Sequence, residues 1–430
     1  MTQEAPRRRL HPLSPLLRGF RYAVLFIVAI SWQGYRDLGT VRWAVVVAAV
    51  AVVVLIASVL TYLSTGYHVV GRELRIHEGL LFRRTRAIPV ERLQSVELVQ
   101  PLTARLFGLA ELRLEVVGGA RTEAPLAFLT LTDATNLRQY LLDLAAQAKG
   151  QARPAEQEAT VAAESLVYVV RNRDLFLSQL LRPQWWLLPV AIGLPIYFLL
   201  SGGDLGFIAV ASTVTAALGA VLVPLRVLFG DWRFTMTTAE DGLHIRRGLV
   251  ETRNSTVPEG RIQSVKLEWP LLWRRAGWIR ATMHIAGVRQ QEGQPDRSSL
   301  LPVGRIAEAE TVVAHAVPGA VLTEVAVRPV PTRARWLAPF RRYVLGYHVG
   351  PYAFASRDGL LTRSLVLVPY ARVQSVRVRQ GPLQRRLRLA TVHVDVAGGG
   401  PTAAAVHIDI DEARALAVEL AEHTRAARRG

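Results

Sequence analysis

One short phrase occurs three times in this chain: "ERLQSVELVQP" at 91–101, "GRIQSVKLEWP" at 260–270 and "ARVQSVRVRQG" at 371–381. Each lies in a longer unit that aligns without a gap, from Gly79 to Gly118, Gly248 to Gly287 and Gly359 to Gly398. Register held over such a length marks the duplication of a whole structural unit, so the chain must fold as copies of one domain. The identical columns are the opening glycines and the leucine after each; Pro89, Pro258 and Pro369; Arg92, Arg261 and Arg372; the triplets Gln94-Ser95-Val96, Gln263-Ser264-Val265 and Gln374-Ser375-Val376; Arg105, Arg274 and Arg385; and the closing glycines. Most are structural residue types, glycine for tight turns and proline for strand edges and ends.

Apolar residues alternate within each unit, which predicts half-buried strands. Leu112, Leu114 and Val116 match Ala281, Met283 and Ile285 and then Val392, Val394 and Val396, so these columns are expected in the core. In the phrase at 91–101 the same alternation directs Val96 and Leu98 inward and Glu97 to water. A helical stretch follows each unit, at 132–148, 304–317 and 409–429. The first and third open with an aspartate near the N-cap, where a carboxylate can accept free amides. Each unit therefore reads as antiparallel strands closed by one helix.

Uncharged apolar runs lie between the units. Residues 43–63, "WAVVVAAVAVVVLIASVLTYL", have the roughly 20 apolar residues that cross a bilayer as a helix. Residues 185–200 and 205–225 flank a short polar turn and predict a hairpin of two further spans, and 22–32 predicts a first span once its flanks are included. Arg7, Arg8, Arg9, Arg18 and Arg21 precede that first run, which places the N-terminus in the cytoplasm by the positive-inside rule. Four spans then return every large polar segment, and the C-terminus, to the cytoplasmic side of a bacterial inner membrane. The expected organisation is a basic tail (1–15), a membrane hairpin (16–63), a first domain (64–150), a linker (151–184), a second hairpin (185–229), a second domain (230–320), a basic amphipathic linker (321–343) and a third domain (344–430).

The glycine after paired strands, the proline, the R-[aliphatic]-Q-S-V phrase, the short Pro-Leu and Arg segment and the final strand resemble the bacterial pleckstrin-homology (PH) domain of the second subtype. The alternation of such domains with apolar pairs is similar to multi-pass membrane proteins of the YdbT-like kind. The resemblance implies three α+β domains, each a bent antiparallel sheet capped by a C-terminal helix, set among membrane α-helical hairpins. It implies no catalytic residue set, and a shared fold does not transfer function. The copies also differ: the second has Trp269, Trp273 and Trp278 where the others have smaller residues.

Several function classes lose support from the residues. Cysteine is absent, which removes disulfides, thiolate metal sites and cysteine nucleophiles together. The ten histidines form no metal-ligand spacing, and no phosphate loop or nucleophile elbow is present, so no catalytic, cofactor, metal or small-molecule site is expected. The chain carries 52 basic against 34 acidic residues, but the arginines are spread through strand-like segments and beside apolar runs with no helix of clustered bases, which favours a membrane surface over nucleic acid. Arg83, Arg84 and Arg86, with Arg246, Arg247 and Arg253, occupy the stretch where related eukaryotic domains bind headgroups. Arg341 and Arg342 lie in 327–349 with Trp336, Leu337, Phe340 and Tyr343, an interfacial anchor or a packing linker. The repeated glutamines present an amide to a ligand or fix strand register, and Arg92, Arg261 and Arg372 pair with carboxylates or with lipid. The expected role is a non-enzymatic scaffold for another membrane protein or for self-association through bare strand edges and exposed tryptophans such as Trp269 or Trp273. The alternatives are an anionic-lipid adaptor and, more remotely, a transporter component.

Overall fold

The computed structural model describes residues 8–9, 66–78, 84–116, 123–148, 165–182, 221–239, 242–285, 298–320, 322, 325–398 and 403–429, with helical positions at 41–43, 45–53, 56, 59–60, 189–190, 193, 196–197 and 219. Two compact units divide the chain, Met1–Thr160 with Val250–Ser255, and Val161–Leu249 with Thr256–Gly430.

In the first unit, β1 (Arg8–Arg9), β2 (Gly66–Val70), β3 (Glu73–Glu78) and β4 (Arg84–Pro89) form an antiparallel sheet in chain order. Pro89 ends β4, as a residue without an amide to donate should, and the 3-10 turn Val90–Arg92 delivers the chain to β5 (Leu93–Pro101). A short helix α1 (Leu102–Leu106), β6 (Leu109–Val116) and β7 (Glu123–Thr130) follow, and α2 (Leu131–Ala148) closes the unit. Leu74, Ile76 and Ile88 from the first sheet meet Val96, Leu98, Leu112 and Leu114 from the second and Leu137 and Leu141 from α2 in one core. The Thr130 hydroxyl accepts the Asp133 amide at 3.2 Å and so caps α2.

The second unit repeats this plan twice. Before the second copy come β8 (Ser165–Val169) and α3 (Asn172–Leu180); the copy itself runs through β9 (Thr235–Ala239), β10 (Gly242–Arg247), β11 (Glu251–Val257), the 3-10 turn Glu259–Arg261, β12 (Ile262–Pro270), α4 (Leu271–Ala276), β13 (Ile279–Ile285), β14 (Ser299–Gly304) and α5 (Ile306–Ala316). The third copy has β15 (Arg328–Pro329), β16 (Gly346–Val349), β17 (Ala353–Asp358), β18 (Thr362–Pro369), the turn Tyr370–Arg372, β19 (Val373–Arg379), α6 (Pro382–Arg386), β20 (Leu389–Val396), β21 (Ala403–Asp409) and α7 (Ile410–Ala427). The stretches expected as linkers thus supply strands, since β8 pairs with β9 and β15 with β16.

Sheets are shared between copies. Strand β18 of the third copy pairs with β12 of the second, giving the order β14-β13-β12-β18-β17-β16-β15. Leu365 and Leu367 on one face of β18 belong to the second copy's core, while Val366 and Val368 on the other face belong to the third's. Burial on both faces explains why 365–368 read as an unbroken apolar run instead of an alternating one. Gly359 makes the hairpin into β18 with φ of +92°, and a Cβ there would collide with the Thr362 carbonyl, so this column requires glycine.

Two expectations are corrected. Among the described residues no helix is long and apolar enough to cross a membrane, so the membrane α-helical hairpins are not part of the described fold, which is antiparallel sheet closed by helices. The run at 22–32 and residues 201–218 lie outside the described residues, as do parts of 43–63 and 185–200. At the end of the second expected hairpin, residues 221–230 lie in a helix. Its Leu228 packs into the second copy's core. Glu97 is also not on a solvated face: it is buried, 7% exposed, because β5 is covered on its outer edge by residues 251–254.

Candidate functional site

The repeated phrase forms the fourth strand of every copy, entered through a proline and a 3-10 turn. In each copy the ladder to the next strand slips one residue at the glutamine, between Leu93 and Ser95, Ile262 and Ser264, and Val373 and Ser375. Gln94, Gln263 and Gln374 are therefore the extra residues of three equivalent β-bulges, which re-aim a strand as it leaves a turn. Gln263 Nε2 donates to the Arg261 carbonyl at 3.3 Å, tying bulge to turn. Val96 and Val265 are buried, Val376 packs beside the third core, and Ser375 donates to Asp395 at 2.8 Å.

The copies are joined at these fourth strands. Residues 251–254 lie antiparallel on β5 in the register Glu251↔Pro101, Thr252↔Gln100, Arg253↔Val99 and Asn254↔Leu98. Strand β18 lies on β12 in the same repeat register, with Thr362↔Pro270, Ser364↔Glu268 and Val366↔Lys266. A repeated arginine marks both joints. Arg105 donates to Thr252 Oγ1 at 3.5 Å, and Arg274 donates to the carbonyls of Leu360 at 2.9 Å and Leu361 at 2.5 Å, in each case reaching the strand or hairpin supplied by the following copy. Desolvation, with Arg363 nearby, pushes the Arg274 guanidinium down from its ordinary range.

The arginines singled out in the sequence differ in their surroundings where they are described. Arg83 lies outside the described residues, and of Arg84 and Arg86 only the positions in β4 are described. On β10 the alternation turns Arg246 outward and Arg247 inward, where it pairs with buried Asp231 at 2.9 Å. Arg253 is buried against Glu251 at 2.8 Å, and Arg113 holds the same carboxylate at 3.3 Å. The repeated Arg372 instead lines a cavity of about 380 Å³ with Pro369, Tyr370 and His423. Tyr370 stacks on His423 at 4.8 Å and donates to the Gly350 carbonyl at 2.8 Å, and burial pushes its hydroxyl well above the ordinary tyrosine range. No group of three or more possible metal ligands occurs among the described residues.

The segment before the third copy is different. It is pinned by buried Ala334 and Ala338, yet Trp336, Phe340 and Tyr343 are 71, 71 and 72% exposed. Arg335 lies over the Trp336 ring at 5.3 Å and Arg342 over Tyr343 at 4.2 Å. Arg341 pairs with Asp358, at the start of the hairpin that exposes Leu360 and Leu361. Sequence reasoning found 327–349 but missed these two leucines, whose signal is an apolar pair at a turn tip. The expectation that Trp269 and Trp273 are exposed is corrected: Trp273 is 1% exposed, donates from Nε1 to the Ser178 carbonyl at 3.0 Å and meets Trp278 edge-on, while Trp269 is half-buried against the same core.

Three copies of one sheet-and-helix module, joined edge to edge through a turn-bulge signature, define a tandem PH-like protein. The family model described as "Bacterial PH domain" matches this chain at residues 22–145, 189–320 and 312–424. The chain belongs to the bacterial PH-domain family. It is similar to a curated protein of Bacillus subtilis (strain 168) named "UPF0699 transmembrane protein YdbT", with 21% identity over 329 residues. The alignment covers 68% of this chain and 66% of the relative, just under two thirds of that protein's length.

Proposed function

We propose that this chain is a non-enzymatic scaffold associated with the bacterial cell membrane, its PH-like domains on the cytoplasmic side, holding one or more partner proteins. The observation that carries the reading is the joint: successive domains share sheets through exposed backbone edges, so the module is itself a device for binding an extended strand. The family, for which no catalytic set is expected, supports the absence of enzymatic activity. The relative's name, transmembrane protein, supports the membrane association. Cross-linking followed by affinity purification from detergent-solubilised membranes should recover a stoichiometric partner; recovery of this chain alone, or its appearance only in the membrane-free fraction, would refute the proposal.

A second reading is favoured by one feature, the exposed Trp336, Phe340 and Tyr343 with Arg335 and Arg342 above their rings. Aromatic rings beside cations suit the headgroup boundary, and each arginine near an anionic surface contributes about 1 kcal/mol. In this reading the segment rests on anionic lipid. Quenching by brominated phosphatidylglycerol, taken as the difference between the wild-type chain and Trp336→Phe, should report Trp336 at the interface. Equal quenching of the two proteins would remove the lipid contact.

A further inference from the structure

We propose that the outer edge of β19, with Arg385 beside it, is a docking site for the third strand of a PH-like domain in a different protein chain, one bearing carboxylates opposite Arg377 and Arg379. The proposal rests on the scaffold reading and names the kind of partner that the scaffold holds.

Among the described residues the fourth strand occurs three times and is covered twice. Strand β5 receives residues 251–254, and β12 receives β18, in one repeat register. Strand β19 is the third instance, and it ends its three-stranded sheet. The contrast in exposure follows: Gln263, Ser264, Val265 and Leu267 of β12 are buried, whereas Gln374, Ser375, Arg377, Val378 and Arg379 of β19 are exposed. A bare ladder edge is a template for another strand.

Arg385 adds an independent observation. Its counterparts Arg105 and Arg274 both reach into the segment that docks on their own copy. Arg385 sits at the same place on α6, is exposed, and its guanidinium has no hydrogen bond or ion pair among the described residues. The third copy thus retains the residue that reaches the incoming strand in the other two, without such a strand among the described residues.

Charge selects the occupant. Strand β4 is the first copy's third strand and also ends its sheet, so a second copy of this chain could offer it. The register of β12 with β18, where Glu268 faces Ser364 and Lys266 faces Val366, carries over to put Arg379 opposite Arg84 and Arg377 opposite Arg86. Like charges directly opposite in an antiparallel ladder are destabilising, and charged residues on an edge are a usual guard against self-pairing. Arg377 already holds Asp395 through two hydrogen bonds at 2.5 and 2.7 Å, so the uncompensated charge on this edge is that of Arg379, and carboxylates at the two facing positions turn the Arg379 pair attractive and remove the like-charge contact at Arg377. The occupant is therefore a PH-like third strand with acidic residues there, carried by another chain.

The test uses the full-length chain in detergent, with the charge-swapped copy itself as the probe. Wild type should sediment at one mass across a concentration series. Arg84→Glu with Arg86→Glu should make β4 acceptable to β19 and give head-to-tail assemblies that grow with concentration and disappear when Arg385→Ala or the pair Arg377→Glu and Arg379→Glu is added. A folded R84E/R86E chain, by circular dichroism, that keeps the wild-type mass overturns the proposal. So does a wild type whose mass grows and is reduced by Arg385→Ala, because the occupant would then be a second copy. A partner recovered equally by wild type and by Arg385→Ala would also refute this edge while leaving the scaffold reading intact. Growth of R84E/R86E with no partner recovered by wild type would support the edge and count against the scaffold.

Discussion

Strands β12 and β19 descend from the same phrase, yet one is an interior strand and the other an edge. In β12 the bulge glutamine, the serine and both inward residues are buried, because β18 covers the outer side and brings Leu365 and Leu367 into the second core. In β19 only Val373 is fully buried. Burial of a strand is thus a property of its neighbours as much as of its own pattern. The helices that follow diverge to match: at one aligned position the second copy has Trp273, filling space against Ser178, and the third has Gln384, whose amide reaches Thr391 and His407 at 2.9 Å.

That contrast can be broken by substitution. Trp273→Ala removes a fully buried indole and should destabilise by about 3–5 kcal/mol, whereas Gln384→Ala should cost about 1 kcal/mol. Thermal unfolding of the two full-length variants checks this, and equal losses would show that the third copy is packed as tightly as the second. Asp231→Ala leaves Arg247 buried without its carboxylate and should cost about 3 kcal/mol or more, read as early proteolytic cleavage near 231–247. Unchanged cleavage would mean that Arg247 finds another acceptor. In the strands themselves, Leu267→Ala should cost about 2–5 kcal/mol and its exposed counterpart Val378→Ala less than about 0.5 kcal/mol, measured by urea midpoints. A Val378 loss as large as that of Leu267 would indicate that β19 is already covered in solution.

The smallest expected effect is on pH dependence. His284 is buried and its ring nitrogen lies 3.2 Å from the Ala397 carbonyl; desolvation holds it below its ordinary value of 6.5 despite that contact. The unfolded chain therefore binds the proton more readily than the folded one. The stabilisation is present above about pH 6.5 and is lost as pH falls through the lower folded value. The aligned residue in the third copy is Asp395, which the Arg377 hydrogen bond holds below the usual carboxylate range, so its contribution is lost only at more acid pH. Replacing His284 with Gln should flatten the stability curve between pH 5 and 7 in unfolding titrations, with pH 7 stability little changed; a slope unaltered by the substitution would assign the dependence elsewhere.

Much of each domain was legible in the residues. Leu112, Leu114, Ala281, Met283, Val392 and Val394 alternate because one face of their strand is apolar, and all are buried. The glutamine was legible as a repeated polar residue in an apolar strand, and it lies at the bulge of each copy. The fate of Glu97 was not legible, nor was that of Trp273: each depends on a distant segment, 251–254 for the first and α3 for the second. Reading 43–63 and 185–225 by hydropathy gave membrane hairpins, whereas among the described residues no helix is long and apolar enough to cross a membrane.

By itself the sequence determined how many copies of the domain exist, which columns point inward, where each strand turns and where it bulges, because these follow from local periodicity, glycine φ and the missing proline amide. The tertiary structure decided which fourth strands are covered and which is left open. Every copy exposes the same row of backbone amides and carbonyls along that edge, and a backbone row carries no side-chain code; what covers it is whichever third strand the fold brings alongside.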